Sequence, residues 1–542
     1  MAFFLLSSLV LARDYYVAPY GNDSNSGESK EQPWATLPHA CENVAASAQD
    51  PAVIHLAPHE YGDGPYYAHG GMWYDCLSLP SYVSLMGCSP RVTVLNYWID
   101  VNPGSTLIEG VTVVTIEFSG DLAADSSLTV RNCVAGGCIP GYQVGAIETD
   151  VQASQEARDV TLGLVIDHCV FESCFFFGNF DPIIQVNVNC EGCRLSLQIR
   201  DTSFGFEPIR RQTSLRVRLD TGDGVAPTDA DEIVIANTRV ESLRDDSQFL
   251  RIYSSGAAQR NIVVQNALII PSVLSGQGTF LSVQSFGSEI ALSMSNSTAL
   301  GGASFATDAA LPGLTKLSAV DSIIHDSMIA LDGRPPTISA VNSCVSWPID
   351  GEGVIHSDPL FAAGALGEHY LSHIDSGQPE TSPCVDAGSI LASESTVAGL
   401  TTRTDHEPDT GRVDMGFHYG RRIGPKPYIE LGHDNALVCP GNDLTAYVLL
   451  KCDGTIMLAD VYLAGAYGDQ LFYLSDDGWT RSQMPWMRKA PIRDYLPDYF
   501  SFPIHFPENI PTGTYTIYLG LIDHYSGELV SLASTPVEVA PK

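Results

Sequence analysis

The stretch LQIRD, residues 197–201, decides the fold, because the same phrase returns along the middle of the chain. Its form is apolar, any, apolar, any, then Asn or Asp. LTVRN ends at 132, LVID at 167, IVIAN at 237, IVVQN at 266 and LSMSN at 296; SAVD at 321 and SAVN at 342 close the series. Successive copies are roughly 20–36 residues apart, within the range of solenoid repeats. A second phrase runs between them: IIQVNV from 183, SLRVRL from 214, FLRIYS from 249 and FLSVQS from 280. Alternation of this kind marks a strand with one buried face.

Two interleaved strand series with a shared period predict an all-β chain whose main body is a right-handed parallel β-helix. Each coil pairs with the next at about 4.8 Å, and inward apolar side chains stack into one core that no coil could bury alone. The Asn or Asp ending each strand suits a bend, since its side chain tolerates left-handed backbone and bonds neighbouring backbone. A propeller would repeat at about 40–50 residues with four strands per blade, which these intervals do not match.

The 542 residues carry 28 Lys plus Arg against 63 Asp plus Glu, a formal charge of −35. This excludes nucleic acid and anionic membrane as natural partners, since both need a basic footprint. With 44% hydrophobic residues the chain is no disordered acidic tail. Residues 1–12, MAFFLLSSLVLA, form a signal-like apolar segment too short to span a bilayer, and no transmembrane segment follows. Thirteen cysteines suit an oxidising compartment, so the expected localisation is secreted, extracellular or cell-surface. The local disulfide candidates are Cys133/Cys138, Cys169/Cys174, Cys190/Cys193 and Cys439/Cys452, with Cys344/Cys384 and Cys76/Cys88 as longer pairings and Cys41 left over.

The boundaries follow from texture. Residues 13–424 form the β-helix, with an N-terminal cap at 13–50 in which a short helix over 34–44 covers the open end. From residue 425 to 542, alternating segments such as DLTAYVLLKC and GTYTIYLGLID predict an immunoglobulin- or fibronectin-like β-sandwich. There Trp479 and Trp486 are candidates for an aromatic sugar platform, or for packing.

Residues 15–40, YYVAPYGNDSNSGESKEQPWATLPHA, resemble the entry segment of bacterial secreted, pectate-lyase-like β-helix proteins. HSDPLF (356–361), SPCVDAG (382–388) and DHEPDTGRVDMGFHY (405–419) resemble the closing segment called choice-of-anchor Q, here 356–420. Cys384 departs from that pattern, where a small residue is usual. The resemblance implies architecture more than activity. Lyases of this fold use Lys or Arg as base beside a calcium pocket, and the repeat region offers only Lys316 as lysine. The Asn-Thr-Asp, Asp-Asp, Gly-His-Gly and Arg-x-Lys marks of the polygalacturonases are absent.

Outward positions of the second phrase form the candidate face. Gln185, Asn187, Arg216, Arg218, Arg251, Tyr253 and Gln284 are the glycan-binding candidates, preceded by Glu148 and Asp150. Arginine forks, amides and an aromatic ring are what a carboxylated or sulfated glycan needs. The alternative is a self-neutralising ladder of weak surface pairs. If the face is catalytic, Arg216, Arg218 and Arg251 are the candidate bases, and Asp220, Asp223, Asp229 and Asp231 the candidate calcium ligands. The expected function is an extracellular structural or adhesive protein that binds polysaccharide or cell-surface glycan, or assembles with copies of itself. The alternative is a polysaccharide lyase or glycoside hydrolase acting from the same face.

Overall fold

The computed structural model describes residues 12–541 except 58, 63–65, 69–70, 74, 88–89, 91–92, 136–145, 154–159, 172–182, 190–192, 206–212, 221–230, 242–247, 256–258 and 271–278. Also outside the description are 308–313, 326–328, 333, 365–366, 421–426, 434–436, 452–456, 469, 476–477, 493–498 and 524–526. The chain divides into two compact units, 1–357 with 415–417, and 358–414 with 418–542.

The first unit is a parallel β-helix with three strand series. One series makes a twelve-stranded sheet that runs from Arg13–Val17 through Arg194–Arg200 to Thr337–Val341, each strand paired in parallel with the next coil. After a corner comes a series of two or three residues, such as Val170–Phe171, Ser203–Gly205 and Arg239–Glu241. The third series is longer and carries the candidate face: Thr112–Leu122, Ile147–Ala153, Ile184–Asn189, Thr213–Asp220, Gln248–Ser255 and Thr279–Phe286.

Register stacks like on like. Leu128, Leu164, Leu197, Ile233, Ile262, Leu292 and Leu317 follow one another coil by coil, and all are buried. Each such aliphatic side chain removed from water stabilises the fold by roughly 1.5–3 kcal/mol. The corner after this sheet repeats as faithfully. Asn132, His168, Asp201, Asn237, Asn266, Asn296, Asp321 and Asn342 all hold positive φ, between 43° and 53°. In the second of these coils the left-handed residue is His168, one beyond the Asp167 expected from the sequence. The next position is always small and buried: Cys133, Cys169, Thr202, Thr238, Ala267, Ser297, Ser322 and Ser343. At every one of these positions but Ala267 a thiol or hydroxyl donates to the carbonyl two residues back, as Thr202 Oγ1 to Arg200 O and Ser322 Oγ to Val320 O. The same carbonyl also accepts the backbone N–H of the preceding coil's corner residue, as Arg200 O from His168 N and Val320 O from Asn296 N, so both of its lone pairs are engaged.

The ends of the helix are sealed by irregular backbone. On the exposed edge of Arg13–Val17, Tyr16 N donates to Gly27 O, Trp34 N to Tyr16 O and Ala18 N to Trp34 O. The helix is confined to Leu37–Asn43, so edge pairing by 27–34 completes the cap expected of the helix alone. Asp23 in the GNDSNSG turn accepts from Ala35 N, Thr36 N and Thr36 Oγ1, acting as a structural clasp. At the other end Asn342 N donates to Glu352 O and Ile355 N to Ser343 O. Gly351 approaches so closely that a Cβ there would sit 2.1 Å from Ala340 O. The tripeptide 415–417 also belongs to this unit: Gly416 N donates to Asp321 O and Phe417 N to Thr298 Oγ1.

In the second unit, Tyr428–His433, Asp443–Lys451 and Tyr499–His505 form one antiparallel sheet. A second sheet is built on Met457–Tyr467, Gly513–Asp523 and Leu529–Val539. Leu444, Val448 and Ile504 from one and Leu463, Ile517 and Val537 from the other are buried, giving a β-sandwich.

Candidate functional site

Alternation along the third strand series sends Leu215, Val217 and Leu219 into the core and Arg216 and Arg218 outward. Parallel register then aligns the outward residues in two rows. The first reads Ser78, Asp100, Glu117, Glu148, Gln185, Arg216, Arg251, Ser282. The second includes Ser119, Asp150, Asn187, Arg218, Tyr253, Gln284. All the expected glycan-contacting residues therefore lie on one face, whereas Ser282 is buried beneath it.

The face is segregated by sign. Asp100, Glu117 and Glu148 occupy three successive coils, so carboxylates stack at about 4.8 Å. Trp98 Nε1 donates to Glu117 Oε2 at 2.9 Å and Ser119 Oγ to Asp100 Oδ1 at 3.3 Å. Burial, reinforced by Asp100 and Asp150, raises the Glu117 carboxyl above its ordinary range despite the tryptophan bond. Two coils further on the sign reverses. Arg216 Nη1 donates to Gln185 Oε1 at 3.3 Å, and the Arg218 guanidinium lies 5.0 Å from the centre of the Tyr253 ring. Tyr253 in turn packs on Phe286 at 5.2 Å. Arg216 and Arg251 are register neighbours, and like charges directly opposite one another destabilise a sheet. Glu148 lies two coils from Arg216 in the same register row, roughly 10 Å by strand spacing.

Of the four candidate calcium ligands, only Asp231 has a described side chain. Asp223 and Asp229 lie outside the described residues, as does the side chain of Asp220. Asp231 is 1% exposed and points inward, where Oδ1 accepts from Leu195 N and Oδ2 pairs with Arg260 Nη1. Arg260 is equally buried and also donates from Nε to Ser254 Oγ. Burial lowers its pKa to about 10. Asp231 is thus a core residue paired with an arginine rather than an outward-facing one. Sequence reading missed this pair because charged residues at a strand start read as surface.

The cysteines also depart from expectation. Cys133 and Cys169 are stacked buried thiols in the small-residue column, donating to Arg131 O and Asp167 O rather than bridging to Cys138 and Cys174. Burial raises the Cys133 thiol far above its ordinary value. Cys344, Cys384, Cys439, Cys76 and Cys41 are thiols as well, so the Cys344/Cys384 bridge is not formed. Cys193 is disulfide-bonded, to a partner outside the described residues, where Cys190, Cys138, Cys174, Cys88 and Cys452 also lie. In the sandwich, Trp479 Nε1 donates to His505 O and Trp486 packs on Phe502 at 4.7 Å, both rings half-buried.

The closing segment holds a buried acid cluster that the motif alone did not reveal. Asp414 accepts from Asp386 N at 2.6 Å and from Thr402 Oγ1. Asp409 Oδ2 accepts from Asp414 N at 2.8 Å and lies 3.0 Å from His418 Nε2, with the His418 side chain wholly buried. Burial and the neighbouring Asp409 raise the Asp414 carboxyl to about 6. Gly411 is required at φ 78°, because a Cβ would meet Asp386 Oδ1 at 2.5 Å.

No helix among the described residues is long and apolar enough to cross a membrane. No family profile and no curated protein matches the chain. Among solved structures, one similarity is to Spo0M, a sporulation control protein from Bacillus subtilis, at 17% identity. It covers 22% of this chain and 50% of that one, with a TM-score of 0.15, and carries no argument about fold or function.

Proposed function

We propose that this is an extracellular or cell-surface adhesive β-helix protein whose long face binds an anionic glycan, in the manner of the pectate-lyase-like proteins its ends resemble. One observation carries the reading: Arg216, Arg218 and Arg251 converge on adjacent coils with Gln185 beneath and Tyr253 beside them. Three guanidiniums on adjacent coils offer a polymer carboxylate or sulfate bidentate bonds. Tyr253 offers a ring for a sugar face. Glycan binding is favoured over end-to-end assembly because backbone from 27–34 already pairs the edge of Arg13–Val17.

The test is binding of the full chain to carboxylated, sulfated and neutral polysaccharides by calorimetry. Arg216→Ala and Arg218→Ala are each expected to weaken binding to the charged polymers by roughly tenfold, the worth of one charge-assisted hydrogen bond. Equal binding of charged and neutral polymers, or binding indifferent to both substitutions, rejects the reading.

A hydrolytic reading rests on a different observation, the raised Glu117 carboxyl stacked between Asp100 and Glu148. A carboxyl whose pKa is raised by burial and by neighbouring carboxylates is suited to general-acid work. Reducing-sugar release by the wild type, lost in Glu117→Gln, would establish it.

A further inference from the structure

The corner ladder contains one residue that breaks its own rule. Of eight stacked left-handed positions, seven are Asn or Asp, and the exception is His168. On either side of that imidazole in sequence and in register stand two carboxylates: Asp167 precedes it on the same coil, and Asp201 is the corner residue of the next coil. One ligand atom from each of Asp167, His168 and Asp201 lies within 4.8 Å of the other two, and all three residues are half-buried. His168 Nδ1 already approaches Asp167 Oδ1 at 2.7 Å.

Two arginines face Asp167, and both have other acceptors. Arg131 and Arg200 are the register neighbours of Asp167 and both face it. Yet Arg131 directs Nε and Nη2 to Glu109 at 2.9 and 2.6 Å, and Arg200 directs Nη2 to Gln198 Oε1. Their forks are thus committed to other acceptors. No other carboxylate forms part of this cluster among the described residues.

We propose that Asp167, His168 and Asp201 form a three-ligand site for a first-row divalent metal ion, with zinc as the representative occupant. One imidazole and two carboxylates are a donor set that zinc accepts, whereas calcium and magnesium select oxygen ligands alone. Three protein ligands leave one tetrahedral position for water or an incoming oxygen donor. Because the ligands come from two coils, the ion braces one coil against the next. The site is separate from the arginine face, so it stands whether or not that face binds glycan.

The test uses the full chain freed of metal, titrated with zinc chloride by calorimetry, with calcium and magnesium chloride as comparisons. The informative variants are His168→Asn and Asp201→Asn. Asparagine already occupies five of these eight corners, so both variants keep a residue the fold accepts. The wild type is expected to bind one more zinc per chain than either variant, and to gain thermal stability with zinc that the variants do not gain. Cobalt(II) in the site should show d–d bands without the charge-transfer band of a thiolate. Equal zinc stoichiometry in wild type and His168→Asn overturns the proposal. So does a thiolate band, which would place the ion on a cysteine.

Discussion

Asp414 shows how a single side chain makes stability depend on pH. Its folded carboxyl titrates at about 6, raised by burial and by Asp409, against about 3.9 in an unfolded chain. The native state therefore binds the proton more tightly. This contribution is fully present below about pH 4 and is lost as pH rises through 6, amounting to roughly 3 kcal/mol by linkage. Asp414→Asn keeps an acceptor for the Asp386 amide and removes the charge. The variant is expected to lose less stability than wild type between pH 4 and 7, as read from urea midpoints across that range. A parallel pH dependence in both proteins would show that Asp414 is not the titrating group. The corner residues were legible in the sequence because Asn and Asp are the ordinary occupants of left-handed backbone. His168 was misplaced by one position because LVID ends in an aspartate that looks like a corner and is not. Asp409 and His418 could be quoted from the motif, but burial is a property of the folded segment, and no spacing in the sequence encodes their contact.

At the scale of elements, the strands were readable and their edges were not. Alternation in LQIRD or SLRVRL identifies the inward residues directly, and register then aligned the outward candidates as expected. The two- and three-residue strands after each corner are too short to carry a period. The pairing of 27–34 onto Arg13–Val17 is made by backbone groups, which leave no trace in side-chain pattern. The Asp231–Arg260 pair illustrates a different loss of information, since a buried ion pair spells the same residues as a surface one. Removing one partner leaves an uncompensated buried charge and costs about 3–5 kcal/mol, whereas removing both for apolar residues is often near neutral. Asp231→Leu and Arg260→Met alone are each expected to destabilise strongly, and the double variant to recover most of the loss. Additive losses in denaturant melts would contradict the pairing. The same strands carry Arg216 and Arg251 on adjacent coils, an arrangement that weakens a sheet unless something answers the charge.

For the molecule as a whole, the β-helix and the sandwich were both anticipated by texture. The partition was not, because the closing segment groups with the second unit apart from 415–417. A chain of net charge −35 places three arginines on adjacent coils of one face. Such local reversal of sign is invisible to composition and depends wholly on register.

That register has a consequence for heredity. Asn266 and Asn296 occupy the same place in successive coils, each followed by a small buried residue, Ala267 and Ser297. Excising residues 267–296 would join one corner to the equivalent point of the next coil. Leu314–Val320 would then meet Gln259–Gln265, and Thr298–Leu300 would meet Arg239–Glu241. The shortened chain is expected to remain folded by circular dichroism and to keep the arginine face, while a misfolded product would show that the coils are not interchangeable. Genes for such a body can change by whole coils, through unequal recombination, without passing through a broken intermediate.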